Sequence, residues 1–157
     1  MDRETLDEAY RRCFPMIREK CARMLADPDE AQDVAQETFI RLWQNGLAGS
    51  DPRTVTAWAY RTSTRLAVDR LRQRKRIANT SLPLEVESPG PDGVLEARWE
   101  LERLARTTPP RELEAAILQR FDRLGQLEIA GILGASERTV RRLLERFDRR
   151  RAEEVGV

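Results

Sequence analysis

The 157-residue chain contains no histidine and only two cysteines, Cys13 and Cys21, and each scarcity closes off a class of chemistry. Without histidine there is no Cys/His zinc site and no histidine-based acid–base catalysis. Two thiols alone make a poor metal cage. Their separation along one helical segment corresponds to about 12 Å of rise, too far for a disulfide unless Pro15 breaks the segment sharply. They are expected to be free and buried. No P-loop, GxSxG or glycine-rich dinucleotide motif occurs, so the sequence offers no catalytic centre, cofactor site or metal site. No apolar run approaches the roughly 20 residues that span a bilayer, and the charged N-terminus lacks a signal-peptide core, which predicts a cytoplasmic protein.

What the chain does contain is charge. Apolar residues make up 40% and charged residues 35%, a balance that suits a folded, helix-rich protein of one average domain or two small ones. The net charge of +1 hides strong segregation. Between residues 61 and 76 lie Arg61, Arg65, Arg70, Arg72, Arg74, Lys75 and Arg76 against Asp69 alone. A second basic block, Arg138, Arg141, Arg142, Arg146, Arg149, Arg150 and Arg151, is diluted only by Glu137, Glu145 and Asp148. The stretch from Glu85 to Glu102 is acidic. Two basic surfaces separated by a repelling spacer suggest two contacts with nucleic acid, because phosphate neutralisation supplies most of such affinity. The acidic spacer could also fold those basic surfaces against itself.

Periodicity divides the chain in the same way. Helices are expected from about Thr5 to Ala26, from Pro28 to Asn45, and from about Arg53 to Lys75. In the second of these, Asp27 caps the start, Pro28 suits the first position, and Asp29, Glu30 and Asp33 favour the positive end of the dipole. Ala35, Phe39, Leu42 and Trp43 are expected to be buried. Asp33, Glu37, Arg41 and Gln44, with Gln36 beside them, form the opposite face, which suits either water or a basic partner helix. Residues 79–93 gather Ser81, Pro83, Ser88, Pro89, Gly90, Pro91 and Gly93 and are expected to be a linker. Beyond it, Val94, Arg98, Leu101 and Leu104 or Ala105 mark a helix, and Thr108-Pro109-Pro110 opens another with Leu113, Ala116, Ile117 and Phe121 on one face.

The last segment is a helix-turn-helix pattern. Gln126 to Leu133 forms a short helix, Gly134-Ala135-Ser136 the turn, and Glu137 to about Arg150 a second helix with Val140, Leu143 or Leu144, and Phe147 inward. Gly134 suits a left-handed turn residue and Ser136 a cap. Arg138, Thr139, Arg141, Arg142 and Glu145 then face outward, where a recognition helix contacts base edges and phosphates. The predicted class is all-α: residues 1–78 and 94–157 form two small helical domains joined by the flexible linker 79–93.

Three segments in this order resemble the extracytoplasmic-function type of bacterial sigma factor. Asp29 to Phe39 is similar to the family's segment that binds the coiled coil of core RNA polymerase. Trp58-Ala59-Tyr60-Arg61 through Leu66 to Arg72 is similar to the segment that melts and reads the minus-10 promoter element. Leu113 to Arg150, with Glu128-Ile129-Ala130, Leu133-Gly134 and Arg138-Thr139-Val140-Arg141, resembles the domain that reads the minus-35 element. The resemblance implies a specificity subunit with core polymerase and promoter DNA as partners, nucleoid-associated when polymerase-bound, and open to control by an anti-sigma factor. It assigns polymerase docking to Asp33, Gln36, Glu37 and Arg41, and DNA contacts to Arg61, Arg65, Arg70, Arg72, Arg74, Lys75 and Arg76 of the first basic block and to Arg138, Thr139, Arg141, Arg142 and Arg146 of the last helix. Trp58 is expected in the core, with stacking on an extruded base as the alternative, and Trp99 in the core or at an interface.

The chain departs from the family's pattern at several points. Arg65 stands where an asparagine is usual, Leu143 replaces a common arginine, Arg142 a small residue, Leu127 an acidic one, and Val55 an aromatic one. These changes imply altered specificity. Two rival readings are a stand-alone helix-turn-helix regulator and a degenerate sigma-like protein that binds its partners without melting DNA.

Overall fold

A computed structural model of the chain describes residues 5–47, 49–78 and 101–155, all of whose regular elements are helices. The expected linker 79–93, the start of the next helix at Val94 and Arg98, and Trp99 lie outside the described residues. In the N-terminal group, α1 spans Leu6–Leu25, α2 Pro28–Gln44 and α3 Pro52–Ala78. Thr5 caps α1 by accepting from the Glu8 amide at 3.1 Å, and Ala26 ends it in a left-handed conformation. Helix α1 continues through Pro15, whose ring is exposed, so the carbonyl left without a donor one turn earlier can be taken by water. The Asp27 carboxylate accepts from the amides of Asp29 and Glu30 at 3.0 and 3.2 Å, satisfying two donors that a helix start leaves open.

The three helices pack on one another through Ile17, Met24 and Leu25 of α1, Val34, Phe39 and Leu42 of α2, and Val55, Val68 and Leu71 of α3. Val55, one of the departures from the family pattern, is thus a core residue. Both cysteines are free and buried, as their spacing requires. Burial pushes the Cys21 thiol from its ordinary 9.0 up to about 12. The folded state therefore holds a proton that the unfolded chain releases, and stability is expected to fall as pH rises from 9 toward 12. Urea midpoints across that range check this, with Cys21→Ser expected to show a shallower decline.

The C-terminal group contains α4, described over residues 101–107, then α5 (Pro110–Arg120), α6 (Gln126–Leu133) and α7 (Glu137–Val155). Helices α6 and α7 form the expected helix-turn-helix. Gly134 takes φ 64°, and the Ser136 hydroxyl accepts from the Thr139 amide at 3.1 Å. Val140, Leu143, Leu144 and Phe147 are all buried. Helix α5 departs from its expected one-sided pattern, since Glu112 through Leu118 are buried on every face. The reason is tertiary: α6 and α7 cover one side of α5, and α3 of the first group covers another.

Candidate nucleic-acid and partner interfaces

Helix α2 packs against α1 and α3 and leaves the rest of its circumference open. Asp33, Gln36 and Arg41 are exposed there, and Glu37 pairs with Arg41 at 3.2 Å one turn on. The expectation that Trp43 is buried is overturned: its side chain is 64% exposed, and Ile40 is 54% exposed. Trp43 follows Leu42 by one residue, about 100° further around the helix, which carries it off the buried stripe to the side of Gln36 and Ile40. The result is a face with an acidic-polar row bordered by two large apolar side chains. Trp43 fitted the apolar pattern in the sequence, so composition alone gave no reason to place it outside.

The basic block of α3 is split by the helical period. Arg61, Arg65 and Arg72 share one side, while Arg70 and Arg74 lie on the other and converge on Glu30 of α2. Arg74 also donates to the Leu25 carbonyl at 2.6 Å, fastening α3 to the end of α1. Arg70 borders a shallow depression with Asp33, Gln36, Glu37 and Ile40, on the α2 side of the molecule. The side chains of Lys75 and Arg76 lie outside the described residues.

On the other side of α3, each described arginine meets the second group or the space beneath it. Arg65 donates to Glu114 of α5 at 2.6 Å, and Arg72 to the Ala105 carbonyl of α4 at 2.6 Å. Arg61 lines an open groove of ≈ 940 Å³ between the start of α3 and α6, and its buried Nε has no hydrogen-bond partner among the described residues. Trp58 is half-buried on the rim of the same groove, packed against the core on one side only. Tyr60 is also half-buried, its hydroxyl donating to the Met16 sulfur at 3.1 Å.

Helix α7 holds Arg138, Arg141, Arg142 and Arg146 exposed, and none of them forms an ion pair among the described residues. Thr139 is half-buried, and its hydroxyl is engaged by Ser136 at 2.9 Å. Arg150, by contrast, is spent on buried Glu112 at 2.8 Å. Leu143 faces the core, so its replacement of a common arginine subtracts nothing from the exposed row.

Comparison with known proteins joins these surfaces. The chain matches the model of the Sigma-70 region 2 family over residues 9–77, which contain nearly all of α1, α2 and α3. It is 30% identical over 145 residues to the ECF RNA polymerase sigma factor SigW of Bacillus subtilis, covering 83% of this chain and 78% of that one. With SigL of Mycobacterium tuberculosis the identity is 31% over 147 residues, covering 86% and 81%. This chain belongs to the ECF RNA polymerase sigma factors. SigE of Mycolicibacterium smegmatis is 29% identical over 148 residues, and the chain spans 57% of its length. A sigma factor is not an enzyme but a specificity subunit that directs RNA polymerase in promoter recognition, which agrees with the absence of catalytic motifs from the sequence. The alignments to SigW and SigL are too long to end within α3 and so take in part of the second helical group as well.

Proposed function

We propose that this sigma factor docks on core RNA polymerase through the open face of α2, opens and reads the downstream promoter element with α3, and reads the upstream element with α7. The observation that carries the reading is the α2 face: Asp33, Gln36, Glu37 and Arg41 stand beside exposed Ile40 and Trp43 on a helix whose other side is core. A polar row with an aromatic anchor is the composition of a protein-binding hot spot, and it is costly for a face meant only for water. A basic coiled coil would match its charge.

Promoter contact falls to Arg61, Arg65 and Arg72 on the far side of α3, with Lys75 and Arg76 further along the same helix. Arg70 and Arg74 support them by holding α3 against α2. Arg138, Arg141, Arg142 and Arg146 present an exposed basic row for the duplex, with Thr139 at the turn end. Melting would proceed by capture of unpaired bases, whose binding offsets an unpairing cost of a few kcal/mol per base. This activity places the protein in the cytoplasm, at the nucleoid when polymerase-bound. No helix among the described residues is long and apolar enough to cross a membrane. An anti-sigma factor would act by covering the α2 or α7 surface.

Reconstitution with core polymerase lacking any sigma tests the reading. The expected result is a two-element footprint on a responsive promoter with permanganate-reactive thymines near the start site. A footprint without reactive thymines would leave a degenerate sigma-like binder. A footprint made by the chain alone on a palindrome would leave a stand-alone regulator.

A further inference from the structure

The least expected contact in the molecule is an ion pair between residues 102 positions apart. Lys20 of α1 faces Asp122, in the turn between α5 and α6, at 2.7 Å, with side-chain exposures of 1% and 4%. Lys20 also donates to the Thr64 hydroxyl at 2.6 Å and the Tyr60 carbonyl at 3.4 Å, and lies 5.1 Å from the centre of the Tyr60 ring. The ammonium is therefore held ready by α3 on its own side, and Asp122 completes its shell from the other. Next to the pair, Arg23 donates to the Phe121 carbonyl at 3.3 Å. Burial pulls the Lys20 pKa down and pushes that of Asp122 up, so each charge depends on its partner being present.

Around this pair, the second group occupies the side of α3 that bears Arg61, Arg65 and Arg72. Glu114, almost fully buried, takes Arg65, the Ala105 carbonyl takes Arg72, and α6 forms the opposite wall of the groove at Arg61 and Trp58. Among the described residues, the acidic partners in this contact are Glu114 and Asp122 of the second group. The α2 face remains open, because α2 touches neither α5, α6 nor α7.

We infer that the nucleic-acid side of α3 is a docking surface for the chain's own second domain, keyed by Asp122 inserting beside Lys20, and that the free protein is held closed by this contact. An ion pair suits such a latch. The cost of stripping water from two charges offsets most of their attraction, so the pair fixes one register without making closure irreversible, while losing either partner leaves a buried charge unmatched. Polymerase can then dock on α2 of the closed chain, and drawing the second domain away to the upstream element uncovers the arginines of α3. Closure itself follows from the contacts alone; the masking of a promoter-binding surface rests on the proposed role of α3.

The test uses the full chain without polymerase. Asp122→Asn, and separately Asp122→Lys, remove the key at a turn outside both helical cores. Small-angle scattering should give wild type a radius of gyration near that of a compact body, roughly 15 Å plus the contribution of the linker and tails, and both variants a clearly larger one. Helix content by circular dichroism should be unchanged in all three. A labelled single-stranded DNA oligonucleotide should bind the variants about tenfold more tightly, if a tenth or less of wild type is open. Equal radii for wild type and variants would overturn the latch. Larger radii with no gain in strand affinity would keep the latch and overturn the masking, a result that points back to the assignment of α3. Lys20→Met supplies the reciprocal variant, expected to expand the chain in the same way.

Discussion

Replacing Asp33, Gln36 and Glu37 together by alanine is expected to weaken binding to core polymerase by about a hundredfold, on the order of 1 kcal/mol for each interfacial group. The same chain should unfold at the wild-type denaturant midpoint, which separates a lost interface from a lost fold. The reasoning is local. Asp33 and Gln36 are exposed, and Glu37 makes only an exposed pair with Arg41, worth at most about 1 kcal/mol to stability. Trp43→Ala should cost a further tenfold or more in affinity, because a large aromatic at the margin of a polar interface typically carries at least about 2 kcal/mol. Were Trp43 a core residue, the same change would lower stability by several kcal/mol, so the denaturant midpoint distinguishes the two roles. Titration of labelled chain with core enzyme, followed by anisotropy, gives the affinities. Retention of full affinity by the triple variant would remove α2 as the docking face.

The second large effect is expected on promoter opening. With Arg61, Arg65 and Arg72 changed to alanine, the polymerase complex should still form but should lose permanganate-reactive thymines. The dependence of strand affinity on salt should become shallower by about 2 in log–log slope, at roughly 0.7 for each contact to a single strand. The corresponding change at Arg138, Arg141 and Arg142 should instead reduce the slope for duplex binding by about 0.9 per contact and erase the upstream footprint. The contrast is useful because it assigns the two basic blocks to different states of the DNA. If the α3 variant opened promoters as well as wild type, Arg70, Arg74, Lys75 or Arg76 would have to carry the strand, although Arg74 already holds α3 to Leu25 and Glu30.

Much of this was legible before any tertiary contact was considered. The helix starts at Thr5 and Asp27, the turn at Gly134 and the cap at Ser136 are set by side chains acting on backbone within a few residues, and such signals survive in any fold. The free, buried state of Cys13 and Cys21 also follows from spacing along one helix. Trp43 was misplaced because an apolar residue at the edge of a buried stripe satisfies the same pattern whether or not a neighbouring helix reaches it. The basic block of α3 looked like a single surface when charges were summed along the chain. The helical period instead divides it between Glu30 and the second helical group.

The sequence by itself determined the helical segments, two charged blocks, the polar row on α2 and the helix-turn-helix, because each depends on interactions spanning a few residues. Only the tertiary structure decided which face of α3 is covered, why α5 is buried all round, and that Lys20 and Asp122 meet. Those outcomes depend on groups far apart in the chain, whose charges are cheap in water and costly when buried. Nothing in the run around Lys20 or Asp122 marks either as a partner until folding removes the water between them.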